Sequence, residues 1–295
     1  MILLFGGSCI IDVLPSSEFV YGVTSLHNLL YVLRANCIDV YTTTDDYTLL
    51  GRLTLAGLVG DEWNDLTSSL LHNCLYVADC ANRLIRAVEL QGSVREWEVD
   101  GCPCGVSVTP DDNLLVTLAD SRQLLELRLD GGDWLHRVQL SADIQRPWHA
   151  IKLPSGQYVV SHSSAGCSGL PGQHRVCKVD STGGVLSTYV AQCGSEMGQL
   201  NWPCHMSLAK DEFVLVADST NNRIVLLSPT MQFVKHYVGS LSHPCRIHLE
   251  SARRRLYISE IGGRVVAVPL NDYLKPSCTS VRLLPVPKQF RLSVW

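Results

Sequence analysis

The sequence contains no long apolar run, little charge and no sustained amphipathic helix. Its longest apolar stretches, such as residues 2–5 and 265–270, are far shorter than the roughly 18–20 residues that a membrane-spanning helix needs. Only 18% of the 295 residues are charged, and the net charge of −4 excludes a wholly basic nucleic-acid binder. Because 46% of the residues are hydrophobic, the chain can bury a large core, which excludes disorder.

Sequence motifs for common catalytic and metal sites are also absent. There is no G-x-S-x-G, P-loop, dinucleotide fingerprint, H-E-x-x-H or C-x-x-C. The twelve cysteines are scattered through a long chain with a large core, which favours reduced, buried thiols in a cytoplasmic protein over a disulfide framework. No Lys or Arg precedes the first apolar stretch and Asp12 interrupts it, so residues 1–11 are interpreted as strand and not as a signal peptide.

What the sequence does contain is a repeat of about 40 residues. An apolar triplet is followed by a polar turn and a second apolar run, and the steps between triplet ends are 45, 39, 44, 56 and 42 residues. The triplets are Leu30-Tyr31-Val32, Leu75-Tyr76-Val77, Leu114-Leu115-Val116, Tyr158-Val159-Val160, Val214-Leu215-Val216 and Leu256-Tyr257-Ile258. Four copies carry a proline about a dozen residues upstream, which fits the start of an inner strand. A period of this length indicates a repeat architecture.

Each unit has room for four short strands, as in residues 204–209, 213–217, 223–228 and 231–238. The sequence therefore predicts an all-β protein, a six-bladed β-propeller of four antiparallel strands per blade, because a ring leaves only short sheet edges. Residues 1–270 are assigned to one propeller, and residues 1–14 are predicted to supply the strand that closes the ring. Residues 271–295 are predicted to be a mildly basic, partly flexible tail, and the step of 56 is assigned to an insertion near residues 161–175.

Two turns carry a more specific signal. Residues 77–85 (VADCANRLI) and 216–224 (VADSTNNRI) resemble the NHL repeat, an apolar strand followed by Ala-Asp, a polar turn, Asn-Arg and another apolar strand. The resemblance implies a six-bladed propeller like the C-terminal domains of tripartite-motif proteins, where the ring binds RNA or protein. It extends more distantly to the peptidyl-α-hydroxyglycine α-amidating lyase.

Acidic and basic residues recur across these turns. Asp79 with Arg83, Asp218 with Arg223 and Glu260 with Arg264 are interpreted as ion pairs that stabilise the turns. Arg34 and Arg122 lack an acid at the matching position and are therefore predicted to be freer to meet a ligand. The run Arg253-Arg254-Arg255 is interpreted as a solvated turn at the opposite end of the ring.

Within each blade, the strand order places the loop before the first strand and the turn between the second and third strands at the same end of the propeller. Arg and aromatic side chains interleave there, as they do in peptide-binding hot spots and single-stranded RNA platforms. The predicted binding face consists of Arg34, Arg122, Arg146, Trp148, His149, His162, Arg175, Trp202, His205, Arg223, His243 and Arg246.

A metal site near the axis is the remaining chemical alternative. Cys104, Cys204 and Cys245 follow the repeat proline, and His149 and His205 share the next position. Thiolates and imidazoles around one axis can hold zinc. In the amidating lyase, the resemblance implies zinc-binding histidines directly after such a proline, and no His stands there in this chain. Small residues packing a crowded inner strand explain the cysteines without metal.

The sequence therefore predicts a non-enzymatic binding module with no cofactor. A protein or peptide is the predicted partner, because the predicted face has Arg and Trp but no Lys. The first alternative is single-stranded RNA, and the second is a metal-dependent lyase or hydrolase with its site at the axis. Neither a membrane nor DNA is an expected partner.

Overall fold

The computed structural model describes residues 4–5, 11–14, 18–44, 46–58, 64–163, 173–189 and 193–271, with the backbone alone for 4–5, 11–14 and 271. Six sheets of antiparallel strands surround one axis, which confirms the predicted all-β, six-bladed propeller. Most of the predicted insertion (residues 161–175) and of the predicted tail (residues 271–295) falls on residues 164–172 and 272–295, outside the described residues. The described residues include no helix long and apolar enough to cross a membrane.

Each blade is a meander whose first strand lies innermost. Blade 1 contains β3 (Gly22–Leu26), β4 (Leu29–Leu33), β5 (Cys37–Thr42) and β6 (Leu49–Thr54), and blade 2 contains β7 (Asp65–Ser69), β8 (Cys74–Asp79), β9 (Leu84–Glu89) and β10 (Val94–Glu98). Blade 3 contains β11 (Pro103–Val108), β12 (Leu114–Leu118), β13 (Gln123–Leu127) and β14 (Trp134–Gln139). Blade 4 contains β15 (Pro147–Lys152), β16 (Tyr158–Ser163), β17 (His174–Val179) and β18 (Val185–Tyr189). Blade 5 contains β19 (Pro203–Leu208), β20 (Val214–Asp218), β21 (Arg223–Leu227) and β22 (Phe233–Tyr237), with short 3-10 turns at Lys210–Glu212 and Ser219–Asn221.

Blade 6 combines both ends of the described chain. Its three C-terminal strands are β23 (Pro244–Glu250), β24 (Arg255–Glu260) and β25 (Val265–Asn271). The N-terminal strands β1 (Leu4–Phe5) and β2 (Ile11–Leu14) pair antiparallel with β25, with Leu4 opposite Asn271 and Ile11 opposite Ala267. The backbone edge of β25 is therefore covered by the start of the chain.

The apolar triplets build the interfaces between blades. Side chains alternate across a strand, so the outer residues Leu75 and Val77 pack toward blade 1 while Tyr76 packs toward blade 3. In blade 5, Val214 and Val216 likewise face blade 4, and Leu215 faces blade 6. Each pair of neighbouring blades thus shares one buried apolar cluster made from two successive triplets.

The junction between blades 6 and 1 uses the arginine run. Arg253 and Arg255 each donate from Nη1 to the Thr43 carbonyl oxygen at 2.9 Å, and Arg255 also donates to the Tyr47 hydroxyl at 2.9 Å. The interpretation of this run as a merely solvated turn was therefore wrong for two of its three members. They connect the last blade to the first.

One disulfide contradicts the prediction of reduced thiols. Cys80, in the turn after β8, is bonded to Cys102, which directly precedes β11. The bond joins blades 2 and 3 across 22 residues of sequence. Disulfides persist mainly in oxidising compartments, so the predicted cytoplasmic location stays a prediction.

We expect the Cys80→Ser/Cys102→Ser variant to lose about 3 kcal/mol of stability, because the unfolded chain regains loop entropy. In a domain of this size that corresponds to a melting temperature lower by roughly 6–12 °C. Calorimetry with and without reductant is the measurement. Cys193→Ser, which removes a partly exposed thiol outside any disulfide, is the matched control, and equal melting of the double variant and the parent would contradict a structural role.

Candidate functional site

Six equivalent positions, one per blade, form a ring around the axis. Each pairs across its blade with the residue that directly follows the apolar triplet, as His205 does with Ala217 and Asp65 with Ala78. In blade order the six residues are Gly22, Asp65, Gly105, His149, His205 and Arg246. The glycines leave room, since a Cβ at Gly105 would lie 2.6 Å from the Trp148 carbonyl oxygen and 3.1 Å from the His149 ring.

The four polar members of the ring form one buried cluster, which we call the axial cluster (Asp65, His149, His205 and Arg246). Asp65 Oδ1 lies 3.4 Å from Arg246 Nε and 3.4 Å from His205 Nε2, and Oδ2 lies 3.8 Å from His149 Nε2. The two imidazole rings stack with centroids 3.8 Å apart. All four side chains are at least nine-tenths buried.

Backbone groups hold this cluster in place. Asp65 Oδ2 accepts the Val106 N–H at 3.0 Å, and His205 Nδ1 accepts the Ile247 N–H at 3.4 Å. Arg246 reaches across the axis and donates to the carbonyl oxygens of Asn64 at 2.8 Å and Tyr21 at 3.1 Å. Blades 1, 2, 3, 5 and 6 are therefore connected at the axis through polar contacts.

Electrostatics stabilise one charge state of the cluster. Burial alone would raise the pKa of Asp65, but His205, Arg246 and His149 outweigh it and hold the pKa at about 2. Burial, followed by His205, lowers the pKa of His149 well below its usual value. At neutral pH the cluster thus contains an Asp65–Arg246 ion pair beside a neutral His149.

This arrangement is poorly suited to a metal ion. One donor atom each from Asp65, His149 and His205 lie within 4.8 Å of one another, which is compatible with a shared ion. The Arg246 guanidinium, however, already pairs with the carboxylate that would be the anionic ligand. A divalent cation bound to Asp65 would therefore lie beside the buried positive charge of Arg246, whose Nε is 3.4 Å from Asp65 Oδ1.

The three cysteines predicted as metal ligands make other contacts. Cys104 Sγ lies 3.2 Å from the carbonyl oxygens of both Pro147 and Trp148, and Cys204 Sγ lies 3.2 Å from that of Cys245. Burial raises the pKa of all three thiols. They are protonated donors whose contacts connect one inner strand to the next.

Several residues of the predicted binding face lie inside the blades. Arg223 pairs with Asp218 at 2.7 Å, as predicted. The predicted turn pair Glu260–Arg264, which lies outside the predicted face, also forms, at 3.3 Å. His162 is fully buried.

Two predictions about arginine partners were wrong. Arg34, expected to be free, is buried and lies 3.4 Å from Asp39. Asp79 pairs at 2.8 Å with Arg86 and not with Arg83, because Arg86 points back along β9 to the carboxylate.

The surface members of the predicted face surround the end of the ring marked by Pro103, Pro147, Pro203 and Pro244, which we call the proline face. Trp202 is 40% exposed and lies against the buried Trp148, with ring centroids 5.2 Å apart. Arg146 and His243 are exposed, and Arg122 and Arg175 are partly exposed. The structure thus divides the predicted residues among the axial cluster, blade interiors and an aromatic surface.

Sequence reasoning missed Asp65, the only acid of the ring. Its blade, like blade 1, lacks the proline that marks the four copies in blades 3 to 6. A usable signal was present, because all six ring residues precede the end of their triplet by ten to twelve positions.

Comparisons with known proteins support the fold alone. No family model matches the chain, and no curated protein matches it. Among solved structures, a streptogramin B lyase superposes with a TM-score of 0.63 at 11% identity, covering 89% of this chain and 97% of the other. A hydrazine synthase from Kuenenia stuttgartiensis gives 0.60 at 11% identity over 85% and 96%, and a protein of unknown function from Bacteroides thetaiotaomicron gives 0.68 at 11% over 90% and 73%. The chain is a six-bladed β-propeller, and its NHL-repeat identity stays a prediction.

Proposed function

We propose that this protein is a binding module that recognises a protein or peptide partner through the proline face around Trp202. The observation that carries the proposal is a rigid, exposed tryptophan. Trp202 lies against Trp148 and His174, with ring centroids at 5.2 and 6.3 Å, and Trp148 Nε1 donates to the Ser163 hydroxyl. A preorganised aromatic anchor is the typical centre of a protein-binding hot spot.

The backbone around the anchor supports this proposal. Arg146, Trp202 and His243 each directly precede the proline of an inner strand, and their φ angles are +47°, +67° and +49°. A non-glycine residue at such an angle is strained, and a following proline normally favours extended backbone. Strain of this kind is concentrated at functional sites. Equivalent backbone hydrogen bonds, such as Ser219 N–H to the Trp202 carbonyl oxygen at 3.1 Å, maintain it.

Charge on the same face favours protein over RNA. The exposed Arg146 guanidinium and the exposed His243 side chain are interleaved with the exposed acids Asp120, Asp143 and Glu196. A surface that follows a phosphate backbone needs a continuous positive stripe. A mixed rim around an aromatic centre is instead typical of a protein interface.

The test is a parallel selection on the immobilised full chain with a displayed random-peptide library and a random single-stranded RNA pool. We expect an enriched peptide motif whose affinity falls at least about 30-fold in Trp202→Ala, the loss of a hot-spot tryptophan. Trp134→Ala is the matched control, because Trp134 is 41% exposed on the outer strand β14. Both variants should melt like the parent.

Two results would contradict the proposal. Enrichment of an RNA motif with steeply salt-dependent affinity would favour the RNA alternative. Stoichiometric zinc in the purified protein, lost in His149→Ala, would support a metal-dependent lyase or hydrolase instead.

A further inference from the structure

The axis of the propeller contains a cavity that is separate from the proline face. It has a volume of about 220 Å³ and is lined by the inner strands of all six blades. Its polar lining includes Thr67, Ser107, His149, Lys152, Ser207 and His248. None of these side chains belongs to the aromatic surface around Trp202.

The cavity is closed toward the proline face and opens at the other end of the ring, which we call the distal face. At the closed end Arg246 crosses the axis to blades 1 and 2. The lining residues at that level, Val106 and Met206, are buried, whereas Ser207 and His248 nearer the distal face are partly exposed. Among the described residues, the cavity is thus more accessible from the distal face than from the proline face.

The charges at the closed end exclude an ionic ligand. An anion entering the cavity would meet the Asp65 carboxylate, and a cation would meet the Arg246 guanidinium that neutralises it. Uncompensated charge in a buried site is costly. The closed end thus favours a ligand without net charge.

Two polar groups of the lining have no partner among the described residues. The Thr67 and Ser207 hydroxyls form no hydrogen bond there, whereas Ser107 donates to the Ala150 carbonyl oxygen at 2.8 Å. His149 Nδ1 is unpaired as well, but it is fully buried, so a molecule in the cavity does not reach it.

We propose that the axial cavity binds a small, neutral polyhydroxylated molecule. A hydroxyl group can exchange hydrogen bonds with the Thr67 and Ser207 hydroxyls without bringing charge to the cluster. The volume is equivalent to about seven water molecules at about 30 Å³ each, which suits a compound of monosaccharide size. Ile151 and Met206 supply apolar walls for the C–H faces of such a ring.

The experiment is ligand-observed NMR and calorimetry on the full chain with D-glucose, D-ribose and myo-inositol as neutral probes. Glucuronate and glucosamine serve as charged analogues. We expect at least one neutral probe to bind with a Kd below about 10 mM, and each charged analogue to bind at least about tenfold more weakly than it.

Ser207→Leu should weaken binding of that probe by at least about tenfold, because the larger side chain fills the cavity. Ser187→Leu, a partly exposed serine on the outer strand β18, is the matched control. Trp202→Ala should leave sugar binding unchanged, so failure of this proposal is distinguishable from failure of the proline-face proposal. Absence of binding by all three neutral probes, equal binding of a charged analogue, or unchanged binding in Ser207→Leu would overturn it.

Discussion

Replacing Arg246 with methionine is expected to destabilise the protein by about 3–5 kcal/mol, because the Asp65 carboxylate would then be buried without its guanidinium partner. Methionine keeps the apolar part of the side chain and removes the guanidinium together with its hydrogen bonds to the Tyr21 and Asn64 carbonyl oxygens. Chemical denaturation at pH 7 is the measurement. Arg128→Met is the control, since Arg128 lies half-exposed at 3.9–4.0 Å from Asp130 and Asp133 and should cost less than about 1 kcal/mol.

The sign of the pH dependence should separate the variant from the parent. In the parent the pKa of Asp65 is about 2, below the ordinary aspartate pKa of 3.8, so the carboxylate contributes stability above pH 3.8 that is lost as the pH falls toward 2. In Arg246→Met the unpaired carboxylate should have a raised pKa, so protonation on acidification relieves the penalty. The stability difference between the two proteins should therefore be smaller at pH 4 than at pH 7.

A second substitution tests the same pair. Asp65→Asn removes the charge and keeps an oxygen that can accept the Val106 N–H. The double variant Asp65→Asn/Arg246→Met should be more stable than Arg246→Met alone. Additive losses, or a stability difference that is the same at both pH values, would show that the ion pair does not stabilise the axis.

Deleting residues 1–14 is expected to cause aggregation and loss of the cooperative unfolding transition. The deletion removes β1 and β2 and leaves the β25 backbone edge unpaired. A long unpaired edge is a template for pairing between molecules. Light scattering and calorimetry at several protein concentrations are the measurements.

Truncation after Asn271 is the control for this deletion and should be mild. It leaves every described strand intact. A protein without residues 1–14 that melts like the full chain and stays monomeric would show that the N-terminal strands do not close the ring.

The fold could be predicted because the repeat is encoded locally. Each triplet combines strand propensity with alternation, and Leu75-Tyr76-Val77 already contains the two faces that pack against different neighbours. The strands predicted for blade 5 at residues 204–209 and 223–228 agree within one residue with β19 and β21. Period and alternation need no knowledge of distant contacts.

Side-chain partners were predicted less well. Asp218 and Arg223 are opposite each other in one hairpin, so a short spacing was enough to pair them. Arg34 and Arg86 use carboxylates that the turn motif does not indicate. The Cys80–Cys102 bond joins two blades, and its 22-residue separation has no signature in a chain with twelve scattered cysteines.

The sequence by itself determined the number of blades and most of the strands within them, because these depend on short-range patterns. Only the tertiary structure decided which polar residues meet at the axis. Asp65, His149, His205 and Arg246 come from four different blades and become neighbours only when the ring closes around its axis. Their charges are then set by burial and by one another, which a residue's place in the sequence does not reveal.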